Sequence, residues 1–392
     1  MRTPQHTVTP QDIQAHTASL CQRHLRLRDH GPKCTAGTLL TVLCYAAARL
    51  SSLAAACKAL VAAPSYQAAH DALLATLPDS HELQRSLNRA LQGDLPKALR
   101  RRRQPLAIDL HLVPYHGQPW HDADEVYRSK AKSGTSHFHA YATAYVIRKG
   151  RRYTVALAYV RKGQPLHEVI QELLRQAAKA SIRPRYLLLD RGFCSVVVLR
   201  YLQRARYPFL MPLPLRGRKP EHPKGVSGSR VFAAWKRSGW SRYTLANEHK
   251  ERVTVAVCVK CRNRRGERGQ QGREALVYAY GGGLRPSSYQ WVKETYRSRF
   301  AIETTYRQLQ QARIRTCTPD PLLRLLYVGV ALLLRNVWVW LHWEVLSHRQ
   351  RGGRRIDLAQ LTFRGLLLWL QHWAEQVLGV CDQVDAERPV LT

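Results

Sequence analysis

Leu106-Ala-Ile-Asp-Leu-His-Leu-Val113 and Tyr186-Leu-Leu-Leu-Asp190 are the two stretches that decide how this chain folds. The first alternates, as a strand does, and sets Ala107, Asp109 and His111 on one face. The second is an unbroken apolar run ending on an acid, the pattern of a central strand covered on both sides. Between them, His137–Val146 and Tyr153–Val160 read as two more strands, joined by a hairpin turn at Arg148–Arg151. Leu166, Val169, Ile170, Leu173, Leu174 and Ala177 then form one apolar helical stripe. Ser195–Arg206 reads as a further helix and Pro208–Met211 as a short strand.

The order is strand, strand, strand, helix, strand, helix, strand. Three hairpin-linked strands followed by helix-linked ones describe a mixed α/β sheet in ribonuclease-H-like order. From Pro212 to Gly283 a β-rich insertion interrupts this core, with strands at Val253–Val259 and Ala275–Tyr280 around a basic, Gly-rich loop at Arg262–Arg273. Helix resumes over Ser287–Gln311, a hydrophobic core helix spans Pro321–Arg349, and Gly365–Leu378 forms another; the last dozen residues read as a loose tail. Residues 1–104 lack strand alternation and read as an all-helical N-terminal domain, with helices near Thr38–Leu50, Ser52–Val61, Tyr66–Thr76 and His81–Arg103. Short helices with tight joints suit a helix-turn-helix-like DNA-binding domain, and a bundle used for packing or dimerisation suits them equally. The expected units are therefore 1–104 (helical, DNA-binding), 105–211 (core, first part), 212–286 (β-rich insertion) and 287–392 (core, second part).

Charge narrows the partner. There are 62 Lys+Arg against 27 Asp+Glu, a formal net charge of +35. Such a surplus repels itself unless an anion neutralises it, and nucleic acid has the matching charge density. Most of these cations are arginines, whose forked guanidinium suits phosphate clamping. The apolar run Leu325–Leu334 is too short to span a bilayer and reads as core, so no membrane partner is expected. Nine scattered cysteines without a signal peptide suggest reduced thiols in a cytosol. The one C-x-x-C, Cys258 and Cys261, lacks a second pair of ligands, and Cys258 sits in the alternating run Val253–Val259, so it reads as a core cysteine. Trp235, Trp240 and Trp291 likewise read as core.

In a chain so poor in acids, an acid in an apolar setting is informative. Asp109 lies mid-strand, and Asp190 closes a buried strand at the end where ligand sites collect. A carboxylate there needs a cation. Two such acids on adjacent strands, with a third from a helix, can hold two Mg²⁺ ions about 4 Å apart for an in-line phosphoryl displacement; a salt bridge to one of the many arginines is the plainer role for each. Tyr296, Arg299, Glu303 and Gln310 fall at helical spacing on one polar stripe, where Glu303 can be the third ligand and Arg299 can meet a phosphate, or the stripe can be a solvated face.

Tyr296-x-x-Arg299-x-x-x-Glu303, within Tyr296-Arg-Ser-Arg-Phe-Ala-Ile-Glu-Thr-Thr-Tyr-Arg307 and followed by Arg313-Ile-Arg-Thr316, resembles the signature of the DDE transposases of prokaryotic insertion sequences, in the insertion-sequence-four-like group. Leu189-Asp-Arg-Gly-Phe193 and Ala107-Ile-Asp-Leu110 with Pro114-Tyr-His-Gly117 resemble its second-Asp and first-Asp motifs. The resemblance covers roughly residues 100 to 345. It implies a ribonuclease-H-like catalytic core, metal-dependent cut-and-paste transposition, and Asp109, Asp190 and Glu303 as catalytic metal ligands for two Mg²⁺ ions, with Mn²⁺ as a substitute. It implies double-stranded DNA as partner, a homodimer on two DNA ends, a cytoplasmic, nucleoid-associated setting, and Tyr296 and Arg299 on the DNA end. Where the group has Lys this chain has Gln310, so Arg307 or Arg313 is expected to supply the missing charge, and Lys130 and Lys132 could also reach DNA. Two other readings stand beside it: a domesticated, non-catalytic DNA-binding protein, and a ribonuclease-H-like nuclease that cuts without joining.

Overall fold

The alternation at 106–113 is a strand, β1 (Gln104–Pro114), in the computed structural model, which describes residues 7–148, 150–219, 221–263, 273–351 and 353–383. β1 pairs antiparallel with β3 (Thr135–Val146), from Leu106 opposite Val146 to Pro114 opposite Phe138. On its other side it runs parallel to β5 (Pro184–Leu189), with Ile108 opposite Leu189. β4 (Thr154–Val160) lies beyond β3 and β6 (Phe209–Pro212) beyond β5, parallel to it. The central order β4-β3-β1-β5-β6, antiparallel then parallel, fits a ribonuclease-H-like core. The parallel strands are reached through α7 (Leu166–Lys179) and α8 (Val196–Arg204), because a parallel partner needs a crossover. α7 buries Val169, Ile170, Leu173, Leu174 and Ala177, as its stripe demands, at about 1.5–3 kcal/mol for each larger side chain.

The insertion extends this same sheet. β9 (Arg273–Gly281) pairs antiparallel with β6, then β8 (Arg252–Asn263) and β7 (Gly239–Ala246) follow outward. Cys258 is buried in β8. β2 (Tyr127–Lys132) pairs with the start of β3 and, like β7, was not readable beforehand: its alternation sets Arg128, Lys130 and Lys132 outward with no apolar face behind them. The basic loop expected within 262–273 falls largely at 264–272, and the tail expected at the C-terminus at 384–392; both lie outside the described residues, as does Lys149 of the expected hairpin turn.

Residues 10–100 hold α1 (Pro10–His24), α2 (Ala36–Arg49), α3 (Leu53–Ala59), α4 (Tyr66–Thr76), α5 (Ser80–Gln92) and α6 (Lys97–Arg100). α1 was not anticipated, and the long helix expected over His81–Arg103 is broken over Gly93–Pro96: α5 ends at Gln92 on Gly93, and Pro96 precedes the short α6. These helices share one apolar core with the sheet, α11 (Pro321–Trp340) and α12 (Phe363–Leu378). β4 is the sheet edge facing them, and helix side chains satisfy its backbone. Asn88 of α5 bonds both the N–H and the carbonyl of Leu157, at 2.8 Å each. Asn336 of α11 accepts from Thr154 N–H at 3.0 Å and donates to the carbonyls of Thr154 and Leu91. An edge so covered cannot recruit another strand.

With the π-helical turn Leu341–Val345 behind it, α11 is longer than the apolar run had suggested, 25 residues and apolar enough by length to cross a bilayer, yet 89% of that apolar window is buried inside the fold. Arg335, in its middle, donates to the Tyr145 hydroxyl at 2.7 Å and the Arg152 carbonyl at 2.6 Å. The expected extension to Arg349 gives way to a small hairpin, β10 (His348–Gln350) and β11 (Gly353–Arg355).

Candidate active site

Asp109 projects from mid-β1, and Asp190 follows the last residue of β5, one step beyond the pairing of Ile108 with Leu189. The two acids therefore stand side by side on adjacent strands. The third comes from the helix expected over Ser287–Gln311. It is two helices, α9 (Tyr289–Arg297) and α10 (Ala301–Gln311), joined by a tighter turn over Ser298–Phe300 that no Pro or Gly announces. Glu303 lies in the first turn of α10. α10 is held on the sheet by Ile302, which is buried, by the Thr305 hydroxyl, which donates to Tyr145 at 2.5 Å, and by Tyr306, which stacks on His111 at 4.8 Å and bonds the Thr143 hydroxyl at 2.9 Å.

The inter-helix turn aims Arg299 into the fold, and the three acids meet on it. Its guanidinium lies 3.2 Å from Asp109, 3.3 Å from Asp190 and 3.6 Å from Glu303. Arg299 is only 5% exposed, whereas the Asp190 and Glu303 side chains are 45% and 49% exposed. Burial pushes the Asp109 carboxyl up to about 6, against the pull of Arg299 and of the Leu110 N–H, and Asp190 adds to the rise. Burial also opposes the charge on Arg299, but Tyr296, Asp109 and Asp190 together hold it more firmly protonated than an ordinary arginine.

Among the described residues no three His, Cys, Asp or Glu side chains are already drawn together around a metal position. The donor chemistry nevertheless fits a divalent cation. Three carboxylates from three elements converge on one cationic group, and hard oxygen donors of this kind suit Mg²⁺ once that group moves away.

The other anticipated residues fall around this centre. Tyr296 is buried against Tyr278 (5.2 Å between rings), with Arg299 5.5 Å from its ring centre. Arg307 and Gln310 are exposed on α10, and Arg313 is half-buried just beyond it. Lys130 and Lys132 are exposed on β2. Of the three tryptophans read as core, Trp240 is 40% exposed on the edge strand β7, packed on Tyr289 at 4.7 Å, and Trp235 and Trp291 are half-buried, because the strands and helices that carry them lie at the rim of the sheet. Sequence reasoning missed a cleft beside Tyr296 lined by Arg191, Lys293 and Arg297 and by Arg262, which is paired with Glu274 of the same cleft at 2.8 Å. It also passed over His111, although the alternation had placed it on the face of Asp109.

A mixed sheet with one acid midway along a central strand, a second just past the end of its parallel neighbour and a third on a flanking helix is the arrangement of the ribonuclease-H-like phosphoryl-transfer enzymes. Residues 100–319, more than half of the chain, match the model of the transposase DDE domain, and the chain belongs to that family. It is a DNA transposase, and enzymes of this family use divalent metal ions. A solved structure, the piggyBac transposase synaptic complex with hairpin DNA, shares the fold, with a TM-score of 0.52 and 13% identity over 97% of this chain and 84% of that one. No curated protein sequence matches the chain.

Proposed function

We propose that this transposase belongs to the insertion-sequence-four-like group, with Tyr296, Arg299 and Glu303 as its Y-x2-R-x3-E signature, and that it works by cut-and-paste. The observation that carries this reading is the meeting of Asp109, Asp190 and Glu303 on one guanidinium at 3.2–3.6 Å. These acids would hold two Mg²⁺ ions, or Mn²⁺ in their place. When bound, the ions would neutralise charge on the attacking and leaving oxygens of the phosphodiester. The reaction is hydrolysis at the element end, followed by attack of the freed 3′-hydroxyl on target DNA.

The chain's own residues orient that DNA. Arg299, drawn off the acids, holds a phosphate at the element end beside Tyr296. Arg307, Gln310 and Arg313 line the strand along and beyond α10, and Lys130 and Lys132 meet it from β2. Each is a phosphate contact, which fixes register without reading sequence. The helices of residues 1–104 form the DNA-binding unit that recognises terminal repeats, and two copies hold the two ends as a homodimer at the cytoplasmic nucleoid.

The test is strand-specific nicking of a terminal-repeat duplex in Mg²⁺. Asp190→Asn is expected to lose about 100-fold or more in rate, roughly 2.7 kcal/mol of transition-state stabilisation, while still binding the duplex. Undiminished nicking by Asp190→Asn would remove the carboxylate assignment.

A further inference from the structure

Arg335, in the middle of α11, is 2% exposed. Its guanidinium is bonded on three sides: Nη2 donates to the Tyr145 hydroxyl at 2.7 Å, Nη1 to the Arg152 carbonyl at 2.6 Å and Nε to Gln308 Oε1 at 3.2 Å. All three acceptors are neutral. Burial opposes the charge, the nearby Arg152 adds to that opposition, and the groups that favour the charge are Tyr145 and Tyr153. Apolar side chains of similar volume commonly hold a core as well as buried charged groups do, or better, so stability alone does not account for an arginine here. What this side chain does is join elements that apolar packing leaves loosely tied.

Two of the three bonds lead to α10, the helix that carries Glu303. Gln308 belongs to that helix, and Tyr145 on β3 bonds the hydroxyl of its Thr305 at 2.5 Å. α10 has 11 residues, too few to be a stable helix by itself. Ile302, Thr305 and Leu309 form its buried face. The flank beside that face borders a partly open cavity of about 180 Å³, lined by Ala301, Thr304, Thr305 and Gln308 of α10 and by Arg335 and Trp338 of α11. Atoms lining a void have no partners across it, so packing resists rotation of α10 only weakly on that flank. The hydrogen bonds from Arg335 and Tyr145 hold it instead. Thr305 and Gln308 lie two and five residues past Glu303, about 160° and 140° round the helix at about 100° per residue, so the grip is on the side away from the carboxylate. Glu303 is free to face Asp109 and Asp190, but its place depends on that grip. A carboxylate about 5–6 Å from the helix axis moves about 1 Å for every 10° of rotation.

We infer that Arg335 is a positioning residue for Glu303: through Gln308, and through Tyr145 to Thr305, it fixes the rotation of α10 and so sets the Glu303 carboxylate against Asp109 and Asp190. This rests on the reading of those three acids as metal ligands. A shift of about 1 Å in such a group can cost about 100-fold in rate, which is why a costly buried cation is worth keeping behind the helix.

The test reads Mg²⁺ binding to the full chain by isothermal titration calorimetry, beside urea unfolding in EDTA. Tyr145→Phe and Gln308→Leu each remove one arm of the grip and keep most of the side chain's bulk, so they carry the test even if Arg335→Met does not fold. Each is expected to weaken Mg²⁺ binding roughly tenfold, and Arg335→Met up to about 100-fold, as when the groups that orient a metal ligand are lost. Gln308→Glu keeps an oxygen for Arg335 and should stay within about threefold of wild type. Asn336→Leu is the control. It lies one residue along α11, bonds the backbone of β4 and α5 rather than α10, and should lose stability with Mg²⁺ affinity unchanged. Wild-type affinity in both Tyr145→Phe and Gln308→Leu, or an equal loss of affinity in Asn336→Leu, would overturn the positioning role. Wild-type protein that takes up no Mg²⁺ would overturn the reading of the three carboxylates, and the positioning role with it.

Discussion

Replacing Arg299 with Met removes the one cation among the described residues on which the three acids converge while keeping most of the side chain's volume. At the 3.2 Å separation from Asp109 and an effective dielectric of about 20, the attraction being lost is about 5 kcal/mol before desolvation. Asp109 is the partner that matters, because its side chain is only 17% exposed; Asp190 and Glu303, nearly half exposed, add less than about 1 kcal/mol each. Breaking a buried pair by deleting one member costs about 3–5 kcal/mol, and that is the loss of stability expected in EDTA, read by urea unfolding. Mg²⁺ should then repair the variant. A cation that binds only the native state at a hundred times its dissociation constant adds about 2.7 kcal/mol. The wild type should gain less, because there the ion must first displace Arg299. If Arg299→Met lies within about 1 kcal/mol of wild type, or if Mg²⁺ stabilises both proteins equally, the reasoning fails.

Two further outcomes follow from the same packing. Asn336→Leu removes three hydrogen bonds to the backbone of β4 and α5 and leaves buried groups without partners, at about 1–3 kcal/mol each; a loss of at least about 3 kcal/mol in urea unfolding is expected, and a loss below about 1 kcal/mol would show that the covered edge contributes little. His139 is buried and its pKa is lowered by that burial from 6.5 to about 3, with Arg324 adding to the shift. Between those values the unfolded chain takes up a proton that the native one refuses, so stability is complete above pH 6.5 and falls as pH drops, by up to about 1.4 kcal/mol per unit from this group. His139→Phe should flatten the fall in unfolding free energy between pH 6 and 5 by about that much, and an unchanged slope would contradict it.

Much of the fold was legible because periodicity and burial coincide in it. β1 alternates because one face meets the site and the other the core; β5 closes on three consecutive leucines, Leu187–Leu189, because both of its faces are covered there; the stripe of α7 maps onto the residues it buries. β2 escaped notice because its outward residues are mostly cations and its inward ones too few to form a pattern, and β7 because apolar and polar residues fall on both of its faces. The break at Ser298–Phe300 carries no Pro or Gly; it coincides with the inward turn of Arg299, and tertiary charge attraction leaves no local mark. The three acids and the Tyr296–Glu303 spacing could be read as a polar stripe and two acids in apolar settings. The inward aim of Arg299 could not, nor could the pairing of Arg335 with Tyr145, because each joins residues far apart in the chain.

The most direct test of the central claim is excision from a donor plasmid carrying the gene's native flanks, in Mg²⁺, by wild type and by Glu303→Gln, which keeps the side chain's shape and removes its charge. Excision by the wild type, reduced about 100-fold or more in Glu303→Gln at equal DNA binding, is the predicted result. Equal excision by both proteins would contradict the placing of Glu303 among the metal-holding acids.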